Sequence, residues 1–317
     1  MDKKYVVGID LGGTTISGGV LDYEGNIIFR NTIDTKSELG EKIVLKRIIK
    51  IIENVIEESK VLKDSIKGIG IGSPGPLDID KGVIITNTNL PFRNFNIVDQ
   101  IKNHFKIPVY LDNDANAAAV GEYKFGAGKG SRNMIFITVS TGIGAGAILN
   151  GNIYRGSSSN ALEIGHMTLK KDGPMCNCGN YGCAEVLASG TAIAKKARIE
   201  LDRGKHSSLR KFNKVSTYNV FQEAQNGDKL AKEIIDEALE YLGICVSNVI
   251  TTFDPDTIVI GGGVSKAGSI VFDKINQVVK KRCFEAMWQN TKIVKALLLE
   301  DSGIIGAASL AILADKN

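Results

Sequence analysis

Two stretches of this chain are written on one plan. Residues 5–10 (YVVGID) read as a buried strand that ends in an acid and runs into a Gly-Gly pair. TTISGGVLD follows as a second strand, Glu24-Gly25 turns the chain, and NIIFRNTI makes a third. Residues 134–154 (MIFITVSTGIGAGAILNGNIY) repeat the order: strand, Thr-Gly turn, strand, Asn-Gly turn, strand. Such turns between β-branched runs mark antiparallel hairpins. The repetition resembles a duplicated fold, although the two copies differ in turn length. With 317 residues, long for a single core, it predicts an α/β protein of two packed lobes around a cleft.

The connecting segments fit that plan. Residues 41–60 place Ile48, Ile51, Ile52, Val55 and Ile56 at helical spacing, a stripe that faces a core. Residues 68–78 (GIGIGSPGPLD) read as a strand running into a Gly/Pro loop, and 107–112 (IPVYLD) as another strand before an alanine-rich helix from Ala115. Residues 191–250 are helical by pattern. TIVIGGG at 257–263 is a strand into a glycine turn, and 303–314 a closing helix of small residues. The lobes expected are 1–113 with 304–317, the smaller, and 114–303, the larger.

Charge and cysteine usage narrow the function. A net charge of +4 spread along the chain leaves no electrostatic footprint for nucleic acid. Gly8 and Asp10 interrupt any apolar signal core, and no apolar run reaches membrane-spanning length. Five cysteines, mostly clustered, suit a reducing compartment better than a disulfide framework. The expectation is a soluble cytoplasmic protein that binds neither nucleic acid nor membrane.

Three of those cysteines fall in one octapeptide, CNCGNYGC, from Cys176 to Cys183, with His166 ten residues upstream in EIGH. Cys176, Cys178, Cys183 and His166 suffice for a closed tetrahedral zinc site, and their spacing closes the loop at little entropic cost. The alternative is a glycine-rich turn holding three free thiols. Glu163 and Glu185 bracket the cluster without being needed as ligands, so the metal is expected to support a polar site.

The glycine loops offer anion sites. Gly8, Gly12 and Gly13 do not make a dinucleotide fingerprint, because strand-like TISGGVL follows them where a helix is required. No GxxxxGK[ST] occurs. The loop DLGGTT instead presents bare backbone amides and the hydroxyls of Thr14 and Thr15, as polyphosphate requires. Thr141 and Gly142 form a second loop of this kind, and Gly262 and Gly263 a third suited to a flat nucleoside. Each alone reads first as a plain turn; three of them, each at a strand end and two with adjacent threonines, point to a site. Asp10 at the strand end can reach Mg²⁺ through water, or simply cap the turn. In LDNDANAAA, Asp112, Asn113 and Asp114 stand between strand and helix. A helix N-cap explains one acid. The other suits vicinal sugar hydroxyls, or a carboxylate that accepts the proton of an attacking hydroxyl.

In order, DLGGTT, PGPLD with NLP, DNDANAAA, VSTGIGAG, EIGH, CNCGNYGCAE and IVIGGG resemble the ROK family of sugar kinases, repressors and related open reading frames, over essentially the whole chain. The layout is most similar to its bacterial glucokinases. The resemblance implies an actin-like, ribonuclease-H-like ATPase fold with a zinc-binding loop, with ATP and sugar in the cleft and lobe closure excluding water. It makes Asp114 the base on the sugar hydroxyl and Asn113 a sugar contact. Gly75, Thr88 and Asn89 would touch the sugar from the first lobe, and Glu163, His166 and Glu185 near its anomeric end. Asp10, Gly12, Gly13, Thr14, Thr15, Thr141, Gly142, Gly262 and Gly263 would hold MgATP, and structural Zn²⁺ would take His166 with the three cysteines. The implied reaction is transfer of phosphate to the 6-hydroxyl of a hexose, glucose first, with N-acetylmannosamine, N-acetylglucosamine, fructose or allose as alternatives. Homodimers or tetramers are expected.

One position departs from the family. Leu162 precedes the EIGH acid where glycine is usual, adding bulk beside Glu163. A sugar-responsive repressor would need a DNA-binding module before the first phosphate motif, and the first strand starts near Tyr5. A non-catalytic sugar sensor is the remaining alternative, and intact DLGGTT with Asp114 speaks for catalysis.

Overall fold

The computed structural model describes residues 4–87 and 89–315. In chain order these form β1 (Tyr5–Leu11), β2 (Thr15–Asp22), β3 (Ile27–Asp34), α1 (Glu41–Ser59), β4 (Ile66–Ser73), β5 (Leu77–Asp78), β6 (Val83–Thr86), β7 (Arg93–Asn96), α2 (Ile97–Phe105), β8 (Val109–Asn113) and α3 (Asp114–Phe125). There follow β9 (Met134–Val139), β10 (Ile143–Leu149), β11 (Asn152–Tyr154), α4 (Ala184–Ala188), α5 (Gly190–Asp202), α6 (Thr217–Gln225) and α7 (Lys229–Phe253). The chain ends through β12 (Thr257–Gly261), α8 (Gly262–Ser265), α9 (Ser269–Arg282), α10 (Glu285–Asn290), β13 (Lys292–Lys295) and α11 (Ser302–Ala314).

The repeated plan in the sequence is a repeated strand order. One five-stranded sheet runs β3-β2-β1-β4-β8 and another β11-β10-β9-β12-β13, while β5-β6-β7 form a small antiparallel sheet. β1 pairs antiparallel to β2 and parallel to β4, which pairs parallel to β8. In the second sheet β12 lies parallel to both β9 and β13.

Period-two alternation assigns the faces of β1. Val7, Ile9 and Leu11 join one core cluster with Ile48, Ile51 and Ile52 of α1 and with Ile97 and Ile101 of α2. Val6 joins a second cluster with Ile304, Ile305, Ala308 and Ile312 of α11. α11 lies against the sheet because glycines receive it: a methyl group on Gly70 would stand 1.8 Å from the Ala307 carbonyl oxygen. α11 and α3 also meet through small residues, since a Cβ on Gly306 would fall 2.5 Å from the carbonyl oxygen of Ala117. Ala115, Ala117, Ala118 and Ala119 are all buried, so α3 is an alanine-faced helix held by close backbone approach.

Contacts divide the chain into two compact units: Met1–Ser131 with Gly146–Ala161 and Ala296–Asn317, and Arg132–Ala145 with Leu162–Lys295. This differs from the lobes expected at 113/114 and 303/304. The reason is the packing of α3. Its small face belongs to α11 and β4, and its buried Glu122 accepts from the backbone N–H groups of Leu297 and Leu298. In the second unit, α7 and α9 close through Gly243, where a Cβ would meet Val278 at 2.6 Å. None of the described helices is long and apolar enough to cross a membrane.

Candidate functional site

In the first unit, register assembles the acids. Asp10 on β1 pairs with Gly72 on β4, and Gly72 with Asp112 on β8. Gly72 has no side chain, so this row leaves room for Asp114 just past the strand end, where a Cβ on Gly72 would lie 3.6 Å from the Asp114 Cα. The helix cap turns out to be Asn113, whose Oδ1 accepts from Ala115 N at 2.9 Å and Asn116 N at 3.4 Å. That frees Asp114. Its Oδ1 accepts from Ala115 N at 2.8 Å, and the backbone N–H of Asp114 itself also hydrogen-bonds the carboxylate.

Asp114 keeps an exposed surface, yet protein crowded around its carboxylate displaces bulk water and raises its pKa above the ordinary carboxylate range. Asp10 is pushed up to about 6, mainly by burial and then by the charge of Asp114. Its carboxylate lies against Gly303 in the first turn of α11, a place a Cβ would fill.

The DLGGTT loop is braced from outside. Thr35 Oγ1 donates to the Gly12 carbonyl at 2.6 Å and Ser37 Oγ to that of Gly13 at 2.7 Å. The side chains of Thr14 and Thr15 stay exposed, with no hydrogen bond among the described residues. The loop meets Asn89 directly, since a Cβ on Gly13 would stand 2.6 Å from the Asn89 Cβ. Gly75, whose bond to Pro76 is cis, is also close by. A Cβ there would lie 3.8 Å from Nδ2 of Asn113 and 3.9 Å from Oδ1 of Asn160. Asn87 joins these pieces, donating to the Gly75 carbonyl at 2.9 Å and accepting from Asn89 N at 2.7 Å. Asn87 and Asn160 were not singled out in the sequence. The run NTNLP, an Asx-turn composition before proline, carries a signal for Asn87; nothing local marks Asn160. Thr88 lies outside the described residues.

In the second unit, His166, Cys176, Cys178 and Cys183 bring one ligand atom each within 4.8 Å of one another. Sγ of Cys178 and Cys183 are 3.7 Å apart, as are Cys176 Sγ and His166 Nδ1. Tetrahedral metal–sulfur bonds of about 2.3 Å require sulfur pairs about 3.8 Å apart, so the cluster fits zinc. Glycines make this fold: Gly182 adopts φ 64, and a Cβ there would collide with the Lys170 carbonyl. Burial and the neighbouring thiols push Cys183 up to about 12, while a backbone hydrogen bond from Asn180 lowers Cys178.

Glu163 precedes the 3-10 turn Ile164–His166 at φ −69, ψ 52, and Ile164 N donates to the Leu162 carbonyl at 2.6 Å, an inverse γ-turn centred on Glu163. Gly165 in that turn backs onto the Ile143 carbonyl. Glu185, in the first turn of α4, reaches the same strand end, where its Oε2 accepts from Ile143 N at 3.0 Å and lies against Gly142. The turn bearing Glu163 and His166 and the carboxylate of Glu185 therefore converge on one strand end.

The loops carrying Thr141–Gly142 and Gly262–Gly263 also converge. Gly262, at φ 81, backs onto the Val139 carbonyl, and a Cβ on Gly263 would lie 3.7 Å from Ser140 Oγ. The glycine backbone of both loops thus lies at one strand end.

A model of the ROK family matches residues 6–314. This chain belongs to the ROK family. Among its ROK relatives, a glucokinase of Halalkalibacterium halodurans is 36% identical, aligned over 98% of this chain and 96% of its own. A xylose repressor of Caldicellulosiruptor bescii is 30% identical over 98% of this chain and 79% of its own. The ROK hexokinase of Thermus thermophilus superposes with a TM-score of 0.85 at 34% identity, covering 98% of this chain and 99% of that one.

Proposed function

We propose that this ROK protein is an ATP-dependent sugar kinase that transfers the γ-phosphoryl group of ATP to the 6-hydroxyl of a hexose, most readily glucose. One observation carries the reading: Asp114 stands at the first turn of α3 with an exposed surface and its pKa raised. A carboxylate held this way is a stronger base than an ordinary one and is open to an incoming hydroxyl. Similarity to a glucokinase and to a ROK hexokinase supports the phosphoryl-transfer class.

In the reaction the hydroxyl oxygen attacks the γ-phosphorus, the bond to the β-phosphate oxygen breaks, and ADP departs. The hydroxyl proton passes to the carboxylate of Asp114. Asn113, Asn89, Gly75, Glu163, His166 and Glu185 are the proposed sugar contacts, carried over from the family resemblance. Gly12, Gly13, Thr14 and Thr15 cradle phosphate oxygens; Thr141, Gly142, Gly262 and Gly263 carry the rest of the nucleotide. Mg²⁺, held through Asp10, supplies charge neutralisation when bound. His166 and the three cysteines would hold zinc, which would supply rigidity to the loop; Nδ1 of His166 lies toward the cysteine sulfurs, and its Nε2 would contact the sugar. We read the two sheets of like order as the halves of an actin-like, ribonuclease-H-like ATPase fold.

A coupled ADP-release assay with MgATP across hexoses and N-acetylhexosamines tests this. Glucose should turn over best. Asp114→Asn should keep sugar binding and lose turnover by about 10²–10⁴-fold, the range for removing a general base. Near-normal turnover in that variant would sink the base assignment, and preference for an acetamido sugar would move the substrate.

A further inference from the structure

Asp112 carries a buried charge that the phosphoryl transfer does not use. It stands two residues before Asp114 with no exposed surface. Its Oδ1 accepts from the backbone N–H of Asn113 at 2.8 Å and from Nδ2 of Asn116 at 2.9 Å. Its Oδ2 accepts from Nε of Arg155 at 2.7 Å. The first two donors belong to the strand–helix junction that displays Asp114. The third arrives from just after β11, forty-three positions along the chain.

Asn116 makes the arrangement sensitive. It is 3% exposed, and its Oδ1 is buried without a partner. An amide so placed gains nothing from its own surroundings on the oxygen side, so its orientation rests on donation to Asp112. Asn116 N in turn donates to Asn113 Oδ1, the cap of α3. One carboxylate therefore sets two residues of the first helical turn, and one guanidinium supplies its only cationic partner among the described residues. The Arg155 carbonyl also accepts from Ala161 N at 3.1 Å, closing the loop that brings Asn160 near Gly75 and Asn113.

We propose that Arg155 is a positioning residue for the catalytic base. Paired with Asp112, it fixes the carboxylate that holds the first turn of α3 and so aims Asp114. The proposal rests on the assignment of Asp114 as base. Arg155 itself touches no reacting atom. A buried carboxylate that loses its cationic partner either moves or draws new donors, and either response shifts the turn it holds.

Arg155→Met, Asp112→Asn and the double variant, with Arg155→Lys as the conservative change, form the test. Arg155→Met should lower kcat by about a hundredfold, the scale of an ångström-level misplacement, with the KM for ATP unchanged. Arg155→Lys, which keeps a charged donor, should recover part of that kcat. The double variant should be no worse than the poorer single variant, because removing the charge removes the need for its partner. It also supplies a folded protein if Arg155→Met does not fold. Amide exchange at Asn113, Ala115 and Asn116 should speed up in Arg155→Met and stay near wild type in Arg155→Lys. Wild-type kcat in Arg155→Met, losses that multiply in the double variant, or unchanged exchange at α3 would each overturn the proposal. The exchange experiment separates this failure from the other. If Asp114→Asn retains turnover, or wild type phosphorylates no sugar, the base reading fails while the exchange still reports whether Arg155 holds the turn.

Discussion

Leu162 adopts φ 69, a left-handed conformation that a branched side chain reaches only at a cost of about 1–2 kcal/mol. Its side chain is only 9% exposed, and the burial offsets that strain. The two effects separate in a pair of variants. Leu162→Ala keeps the strained backbone, loses the burial, and should destabilise by about 2–3 kcal/mol. Leu162→Gly loses the same burial but relaxes the backbone, so it should be about 1 kcal/mol more stable than the alanine variant. Urea unfolding of both decides; an alanine variant stabler than the glycine one would show that the strain is not there. Asp10 gives a second test. Its folded pKa of about 6 lies above the ordinary 3.8, so the native state holds the proton more tightly than the unfolded chain. Its contribution to stability is full below about pH 4 and is lost as pH rises through about 6. Asp10→Asn should therefore exceed wild type by roughly 2–3 kcal/mol at pH 8 without magnesium, with the difference vanishing toward pH 4. Equal stability of the two proteins at pH 8 would contradict the raised pKa.

Among elements, the segment from Met167 to Cys183 gathers its cysteines and His166 within a net of turn hydrogen bonds, Leu169 N to the Gly182 carbonyl and Cys176 N to the Asn180 carbonyl among them, and two isolated bridges, Thr168↔Cys183 and Met175↔Tyr181. Met175 and Tyr181 are exposed, while Cys176 and Cys183 are buried. A metal on the proposed ligands would cross-link this loop further. Cys178 is itself exposed, so Cys178→Ala removes a ligand and almost no packing. Metal analysis should show zinc falling from one per chain toward none, and limited proteolysis should cut within 167–183. A full zinc complement in that variant would refute the assignment. The meeting of α3 and α11 has the opposite basis: no metal or charge, only small residues at close approach.

For the whole molecule, the proposed ligands should act as stabilisers, because each binds only the folded chain. Glucose or MgATP at a hundred times its Kd should add about 2.7 kcal/mol, seen as a rise of several degrees in Tm by differential scanning fluorimetry. A larger shift with N-acetylmannosamine than with glucose, at matched concentration, would reassign the sugar. No shift with any hexose would argue against the sugar-site reading as a whole.

The sequence by itself determined the duplicated strand order, the alanine-faced helix behind Asp114 and the grouping of Cys176, Cys178, Cys183 and His166. These are local patterns: period-two and period-3.6 hydrophobicity and short loop spacings, each set by neighbours a few residues away. Tertiary structure decided what depends on distant partners. It gave the helix cap to Asn113 and left Asp114 free, joined Gly75 to Asn89 through Asn87, and grouped α3 with α11 across a boundary expected at 113/114. It also brought Arg155 to Asp112. A buried carboxylate takes whatever donors the fold delivers, and no sequence spacing encodes which residue forty-three positions away will be one of them.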